Sequence, residues 1–354
     1  MPLVLAINPG STSTKVAVFD GVTAVFAESI AHSAVDLAPH ARIADQYALR
    51  RDAVLACLVA HGVPITALSA IVGRGGMLRP VPGGTFRINT TMLDELRTPG
   101  PREHAANLGA IVAHEIASQA SLPAFIVDPV CVDEFEPLAR ISGLPEIERR
   151  SYSHALNLKA MARRAAADLG QPYESLDLIV VHMGGGISVS PHRHGRMIDV
   201  NQALDGTGPF SPERAGGLPV GDVLRLSFSG RYTYDEFFRR IAGQGGLVAH
   251  LGTNNAVEVE QRIAAGDAHA RLIYEAMAYQ TAKEIGGMAT VLCGHVDAIV
   301  LTGGLAHSDV FCNWLRERLS WIAPILIYPG QDEMRAMVEG VLRVLTGEEQ
   351  AQEY

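Results

Sequence analysis

Leu5-Ala6-Ile7-Asn8-Pro9-Gly10-Ser11-Thr12-Ser13-Thr14-Lys15-Val16-Ala17-Val18-Phe19 is the stretch on which the reading of the fold turns. Two apolar runs, Val4–Asn8 and Val16–Phe19, flank a polar loop, Pro9–Lys15. A loop this short joins antiparallel strands, because a parallel pair needs a crossover of about a dozen residues or more. Gly10 lets the backbone turn tightly and approach a ligand. The hydroxyls of Ser11, Thr12, Ser13 and Thr14 and the Asn8 amide are neutral donors, and Lys15 adds a positive charge. That inventory suits a phosphate. It is not a Walker A loop, since the G-K-[ST] ending is absent and a strand follows instead of a helix. A ligand-free polar hairpin tip has a similar composition.

Outward from this hairpin, a third strand is expected around Val22–Ser29. A helix follows over 45–61, with Ala48, Leu49, Ala53, Leu55, Ala56 and Leu58 as its apolar face. A short strand, Leu68–Val72, ends in Gly73-Arg74-Gly75-Gly76, a helix covers about 103–120, and a strand, Phe125–Val127, closes at Asp128-Pro129. The second half repeats the grammar. A helix over 155–169 leads to the strand Asp177–His182, which breaks on Gly184-Gly185-Gly186. Strands Ile187–Ser190 and Arg196–Val200 surround a polar turn, Pro191–Gly195, and 206–221 reads as loop. Helices over 233–242 and 267–291 precede the strand Ala298–Leu301, which ends in Thr302-Gly303-Gly304. A helix over 308–319, the strand Ile325–Tyr328 and a helix from Asp332 to Leu345 finish the pattern. Each half opens with strand, glycine turn, strand, so a duplicated two-domain α/β architecture with a cleft between the halves is expected.

The triple glycine after Asp177–His182 implies close backbone approach to a ligand, most simply a polyphosphate; a Gly-rich bulge is the alternative. Two such loops, one per half, suit the two ends of a triphosphate. Gly303 and Gly304 suit a nucleoside edge, although strand–GG–helix turns also occur without ligand.

Whole-chain properties narrow the class. The chain has 354 residues, 48% hydrophobic and 19% charged, which allows two domains with real cores. Its net charge of −9 weighs against nucleic acid, which needs a basic face, but does not exclude anionic small molecules. The N-terminus has no basic n-region and no apolar run is long enough to span a bilayer, so neither a signal peptide nor a membrane partner is expected. Cys57, Cys131, Cys293 and Cys312 form no CxxC pair, which points to reduced thiols in the cytoplasm and weighs against zinc.

Taken together, these residues resemble the acetokinase family, within the superfamily of actin, sugar kinases and Hsp70. The resemblance runs from Asn8 through Glu333. Val72-Gly73-Arg74-Gly75-Gly76-Met77, Pro80-Val81-Pro82-Gly83-Gly84-Thr85 and Pro329-Gly330-Gln331-Asp332-Glu333-Met334-Arg335 look like the butyrate kinases more than the acetate kinases. The resemblance implies two duplicated actin-like (ribonuclease H-like) domains with a nucleotide cleft. Residues 1–132 with 335–354 would form the first. Residues 133–334 would form the second, which binds nucleotide and makes a homodimer or higher homo-oligomer. It implies reversible phosphoryl transfer from ATP to a short-chain acid, with ADP as product and Mg2+ as the metal.

By the same carry-over, Asn8, Ser11, Ser13 and Lys15 match the first phosphate loop, and His182, Gly184, Gly185 and Gly186 resemble the second, where acetate kinases carry His-Leu-Gly-Asn-Gly. Gly303 and Gly304 complete the nucleotide set. Arg74 falls at the substrate-binding arginine, Asp128 at the catalytic aspartate, His154 at a histidine of the Gly-Thr-Ser-His stretch, and Glu333, with Asn8, at the magnesium site. Two places depart from the family. Arg150 stands where a further histidine is usual, and Leu218-Pro219-Val220 precedes Gly221-Asp222 where an arginine is usual, which leaves Arg214 as the nearest candidate.

A carboxylate is ionised at neutral pH and is itself the nucleophile, so the site needs alignment and charge neutralisation instead of a general base. Arg74 would hold that carboxylate as a fork. Asp128 would orient a metal-bound water or Arg74, or is an ordinary Asp-Pro turn. Glu333 would meet Mg2+ through water, or is a first-turn acid favoured by the helix dipole. His154 would donate to a phosphoryl oxygen or cap the helix it precedes. His192 and His194 flank a turn and are expected in solvent. Gly75 and Gly76 would leave room for extra methylenes, worth about 0.8 kcal/mol each and roughly 1.6 kcal/mol for butyrate over acetate. The helix 267–291, with Ile273, Met277, Ala278, Ile285 and Met288, is core or subunit contact. Acetate, propionate and isobutyrate kinases, an actin-like ATPase and a non-catalytic nucleotide module are the competing readings.

Overall fold

Val4, Leu5, Ala6 and Ile7 are fully buried, as a strand covered on both faces requires. They form the middle of the first strand in the computed structural model, which describes residues 1–98 and 104–354. The chain separates into two units, Met1–Val132 with Asp332–Tyr354, and Asp133–Gln331.

The first unit begins with β1 (Leu3–Pro9), β2 (Ser13–Asp20), β3 (Thr23–Ala31), the single turn α1 (Ala34–Leu37) and α2 (Tyr47–Ala60). It continues with β4 (Ala70–Gly73), β5 (Thr85–Arg87), α3 (Thr90–Arg97), α4 (Asn107–Ser118) and β6 (Ala124–Val127). The second unit holds α5 (Pro137–Arg140), α6 (Ala155–Asp168), β7 (Asp177–Met183), β8 (Ile187–Arg193) and β9 (Arg196–Met197). After them come α7 (Val220–Ser227), α8 (Tyr234–Ile241), α9 (Gly246–Leu251), α10 (Ala256–Ala264), α11 (Ala268–Val291), β10 (Ala298–Gly303), α12 (Asp309–Leu319) and β11 (Ile325–Pro329). The chain then returns to the first unit as α13 (Glu333–Leu345) and β12 (Gln352–Glu353).

The sheets share one plan. In the first, the order β12-β5-β6-β4-β1-β2-β3 places an antiparallel meander, β1-β2-β3, beside β4 and β6, which run parallel to β1. In the second, the order β11-β10-β7-β8-β9 repeats this, with the meander β7-β8-β9 beside parallel β10 and β11. Both are mixed sheets that share a five-strand order, as duplication predicts, and the first adds β5 and β12 at its edge. Each sheet packs its own apolar cluster. Leu5, Ile7, Val16 and Ile71 belong to one, and Ile179, Val181, Ile299 and Leu301 to the other.

Several elements differ from expectation. The sequence places a turn at Pro191–Gly195, but β8 runs through Pro191 to Arg193. The turn is only His194-Gly195, both at positive φ, the left-handed pair that matches a two-residue hairpin to strand twist. His192 is accordingly buried, whereas His194 is exposed. The expected α2 face also shifts, because the residues it buries are Arg50, Val54, Cys57 and Leu58. In α11, Met277, Ala278, Ile285 and Met288 pack into the core, with Ile273 half-buried against it. The expected start of α4 at 103 lies outside the described residues, and its described helix begins at Asn107.

Candidate functional site

The first hairpin tip is built from below. β1 and β2 pair Asn8 with Lys15 and Pro9 with Thr14, and the turn closes with Gly10 N–H donating to the Ser13 carbonyl at 2.8 Å. Arg50 of α2 reaches up under it, fully buried. Its Nη1 donates to the carbonyls of Gly10 (2.8 Å) and Ser13 (2.9 Å) and to Thr14 Oγ1 (3.1 Å). Its Nη2 donates to the Ser11 carbonyl (3.0 Å), and Gln46 Oε1 accepts from both Nη2 and Nε. Burial lowers the guanidinium's pKa from its ordinary value. Every partner is a neutral oxygen, so the loop keeps a net positive charge, which favours an anion on its outer side. Ser11 and Lys15 are exposed there and Ser13 is half-buried.

Arg74 follows β4, its N–H donating to the Ile7 carbonyl at 2.9 Å. Its Nη1 pairs with Glu333 Oε1 at 2.6 Å, and Glu333 Oε2 accepts from Asn8 Nδ2 at 2.7 Å. The substrate-binding arginine and the two metal-site residues named from sequence are thus one hydrogen-bonded group within the first unit. Glu333 sits in the first turn of α13, whose N-cap, Asp332, accepts from Arg335 N–H. Arg74 is set in place by a glycine contact: a Cβ on Gly109 of α4 would lie 2.6 Å from the Arg74 nitrogen.

Gly75 and Gly76 do not open a pocket. A Cβ on Gly75 would lie 2.5 Å from Pro129 Cβ, and one on Gly76 would lie 2.6 Å from Asn107 Cα. The missing side chains let segments touch, and the room inferred for extra methylenes is already filled. Asn107 is buried, accepts from Met77 N–H at 2.8 Å, and leaves its Nδ2 without a hydrogen-bond partner among the described residues. His104, just before α4, has its pKa lowered by burial and then by the Arg74 charge. Sequence reasoning passed over His104, Asn107 and Arg50.

Asp128 is buried at φ +38°, an unusual left-handed position for a residue other than glycine. Its Oδ1 accepts from Gly84 N–H at 2.7 Å while its own N–H donates to the Gly84 carbonyl at 3.0 Å. This double bond pair ties the carboxylate to the Gly83-Gly84 turn.

The second unit repeats the hairpin. Gly184 N–H donates to the Gly186 carbonyl at 3.0 Å, and the Gly185 carbonyl accepts from Ser211 Oγ and Glu213 N–H. Buried His182 bonds Asn157 Oδ1 through Nδ1 (2.8 Å), and its ring stacks on His154 with centroids 4.0 Å apart. His154 precedes α6 but makes no side-chain cap; it meets Ser188 Oγ through Nδ1 at 2.9 Å instead. A Cβ on Gly186 would lie 3.4 Å from His154 Cε1 and 3.9 Å from Arg214 Nε, so both side chains border this turn. Arg214 Nε is buried without a hydrogen-bond partner among the described residues.

Beside the glycines lies a cavity of about 450 Å³, lined by Gly184, Gly185, Glu213, Asn254, Asn255 and Gly304 among others. Gly303 is at φ +91°, and a Cβ there would strike the Met183 backbone, whereas Gly304 faces open space. The volume falls within the usual span of small-ligand sites, about 300–1,000 Å³. Asn254 donates to Glu213 Oε1 at 2.7 Å, fixing one polar wall. Gly184, Gly185 and Gly304 were named from sequence, whereas Glu213, Asn254 and Asn255 were not, because they come from two separate loops.

His192, expected in solvent, is wholly enclosed and bonds Tyr173 Oη through Nδ1 at 2.6 Å.

Residues 146–318 match the model of the Acetokinase family. An acetate kinase of Porphyromonas gingivalis superposes with TM-score 0.78 at 16% identity, covering 98% of this chain and 100% of that one. A propionate kinase of Francisella tularensis gives 0.74 at 19% identity, covering 96% and 99%. A ROK hexokinase of Thermus thermophilus gives 0.50 at 15% identity, covering 98% and 100%. The chain therefore has the two-domain fold seen in acetate kinase, and its segment 146–318 is a match to the Acetokinase family.

Proposed function

We propose that this protein transfers a phosphoryl group reversibly between ATP and a short-chain carboxylate, with butanoate + ATP = butanoyl phosphate + ADP as its reaction. The observation that carries the reading is the Asn8–Glu333–Arg74 group beside a phosphate-type loop that Arg50 keeps electropositive. The Acetokinase match over 146–318 and the likeness to acetate and propionate kinases support its coarser part, phosphoryl transfer to a short-chain carboxylate.

Arg74 binds the substrate carboxylate with the guanidinium edge that Glu333 does not take, which also screens it from the γ-phosphate. Ser11, Ser13 and Lys15 bind phosphoryl oxygens. In the second unit, the nucleoside occupies the cavity by Gly184, Gly185 and Gly304, with Gly303 shaping its floor. His154 and Arg214 beside Gly186 donate to phosphate oxygens, and His182 holds the His154 ring by stacking. Asp128 is a positioning residue that fixes the Gly83-Gly84 turn.

The hard oxygen donors Glu333 and Asn8 fit Mg2+, which supplies charge neutralisation on the phosphates when bound. Both Glu333 oxygens already accept hydrogen bonds, so these residues would meet the ion through its water shell.

The test is hydroxylamine trapping of acyl phosphate with ATP and Mg2+ across acetate, propionate, butyrate, isobutyrate and valerate. Butyrate is expected to give hydroxamate fastest, and Arg74→Ala to lower kcat/KM by about 100-fold or more. The filled space at Gly75 and Gly76 favours a second reading, acetate or propionate as the substrate. A higher kcat/KM for either would establish it in place of butyrate. ATP hydrolysis without hydroxamate from any acid would move the protein to the ATPase class.

A further inference from the structure

Outside the phosphate loop, three side chains converge on the outer edge of the first sheet. Glu28 stands on β3, the edge strand, and Cys57 and His61 on the last turn of α2 and the residue that ends it. Cys57 and His61 are four apart, so both project from one helix face. Cys57 Sγ donates to Glu28 Oε2 at 3.5 Å, and His61 Nε2 bonds the other oxygen, Oε1, at 2.8 Å. The three donor atoms lie within 4.8 Å of one another.

We propose that Glu28, Cys57 and His61 form a peripheral site for a thiophilic divalent cation of the Zn2+ class, three protein ligands with water in the fourth position. The donors are one thiolate, one imidazole and one carboxylate, the set that zinc takes at distances of about 2.0–2.3 Å. At a tetrahedral ion those distances put neighbouring donors about 3.3–3.7 Å apart, so the sulfur–carboxylate edge already has the right length. His61 does not have to be ordered by the ion, because its ring lies flat on Phe26 with centroids 3.9 Å apart and planes 7° apart. Cys57 is nearly buried, while Glu28 and His61 open to solvent, which gives an ion an entry side and a water position. Coordination forms the sulfur–metal bond and releases the thiol proton to solvent.

The sequence weighs against zinc because no two cysteines pair. This site needs only one cysteine, and its third ligand comes from a strand 29 positions earlier.

The experiment uses chelator-treated full chain titrated with Co2+ and, in competition with a chromophoric chelator, with Zn2+. One ion per chain is expected, with a near-ultraviolet thiolate–cobalt charge-transfer band that Cys57→Ser removes. His61→Ala and Glu28→Gln, both at exposed positions, are each expected to weaken Zn2+ by about tenfold or more, the loss that even outer-shell substitutions produce. Mg2+-dependent kinase turnover is expected to be unchanged in Glu28→Gln. A folded wild-type chain without the charge-transfer band, or Zn2+ affinity unchanged in His61→Ala and Glu28→Gln, would overturn the site.

Discussion

Arg50 contrasts with Arg74 in how each could be read. Arg74 announces itself, a lone cation between glycines at a strand end. Arg50 lies on a helix where a charged residue normally faces water, and the oxygens it binds in the loop are 36–40 positions away. Nothing in its own neighbourhood signals that it turns inward. Removing it strands the buried Thr14 hydroxyl and three partly buried carbonyls, and a buried group left unsatisfied costs about 1–3 kcal/mol. Arg50→Met is therefore expected to lose about 3 kcal/mol of stability in urea unfolding and to raise the KM for ATP in the folded fraction; an unchanged unfolding midpoint would refute the scaffold role. The opposite lesson comes from Gly75 and Gly76. A glycine can mean space for a ligand or contact between backbones, and the sequence looks the same in either case. Only the positions of Pro129 and Asn107 decide it.

Elements declare themselves in sequence when they are long or periodic. The hairpins β1-β2 and β7-β8 and the buried strands β4 and β10 were legible from apolar runs ending in glycine, and β6 from one ending in Asp128-Pro129. The short β5 and the helices α3, α9 and α10 were not, since three to nine residues give too little periodicity. Their caps were a usable signal: Asn89 accepts from Met92 N–H and Asn255 from Val257 N–H. Pro191 misled for the opposite reason, as a residue read as a breaker sits inside β8. The packing of α4 on β4 makes its own prediction. Gly73 and Gly109 meet backbone to backbone, and Gly109→Ala would push on the Arg74 main chain. Overpacking costs about 1–3 kcal/mol, and a shift of about 1 Å at a positioning group costs about 100-fold in rate. Hydroxamate formation by Gly109→Ala, assayed where circular dichroism is native, is expected to fall by that order; a full rate would show that this contact does not set Arg74.

For the molecule as a whole, buried histidines couple stability to pH. Burial lowers the pKa of His192 well below its usual value, helped by Lys159 and then Arg163, and burial likewise lowers His32. A depressed histidine binds its proton in the unfolded chain before it does so in the folded one. Its contribution is therefore fully present above the ordinary pKa of about 6.5 and is lost as pH falls below it, by up to about 1.4 kcal/mol per pH unit per group. Glu284, raised by burial, acts in the opposite sense. Urea midpoints are expected to drop between pH 7.5 and 5.5, and His192→Gln is expected to flatten that drop. An equal slope in the variant would show that His192 is not its source. The route of the chain has a consequence of another kind. Glu333, partner of both Asn8 and Arg74, lies 259 residues after Arg74, with all of the second unit between them. During translation residues 133–331 leave the ribosome first, so the unit begun earliest is finished last, and a nascent chain stalled before residue 333 carries Arg74 with no counter-charge from α13.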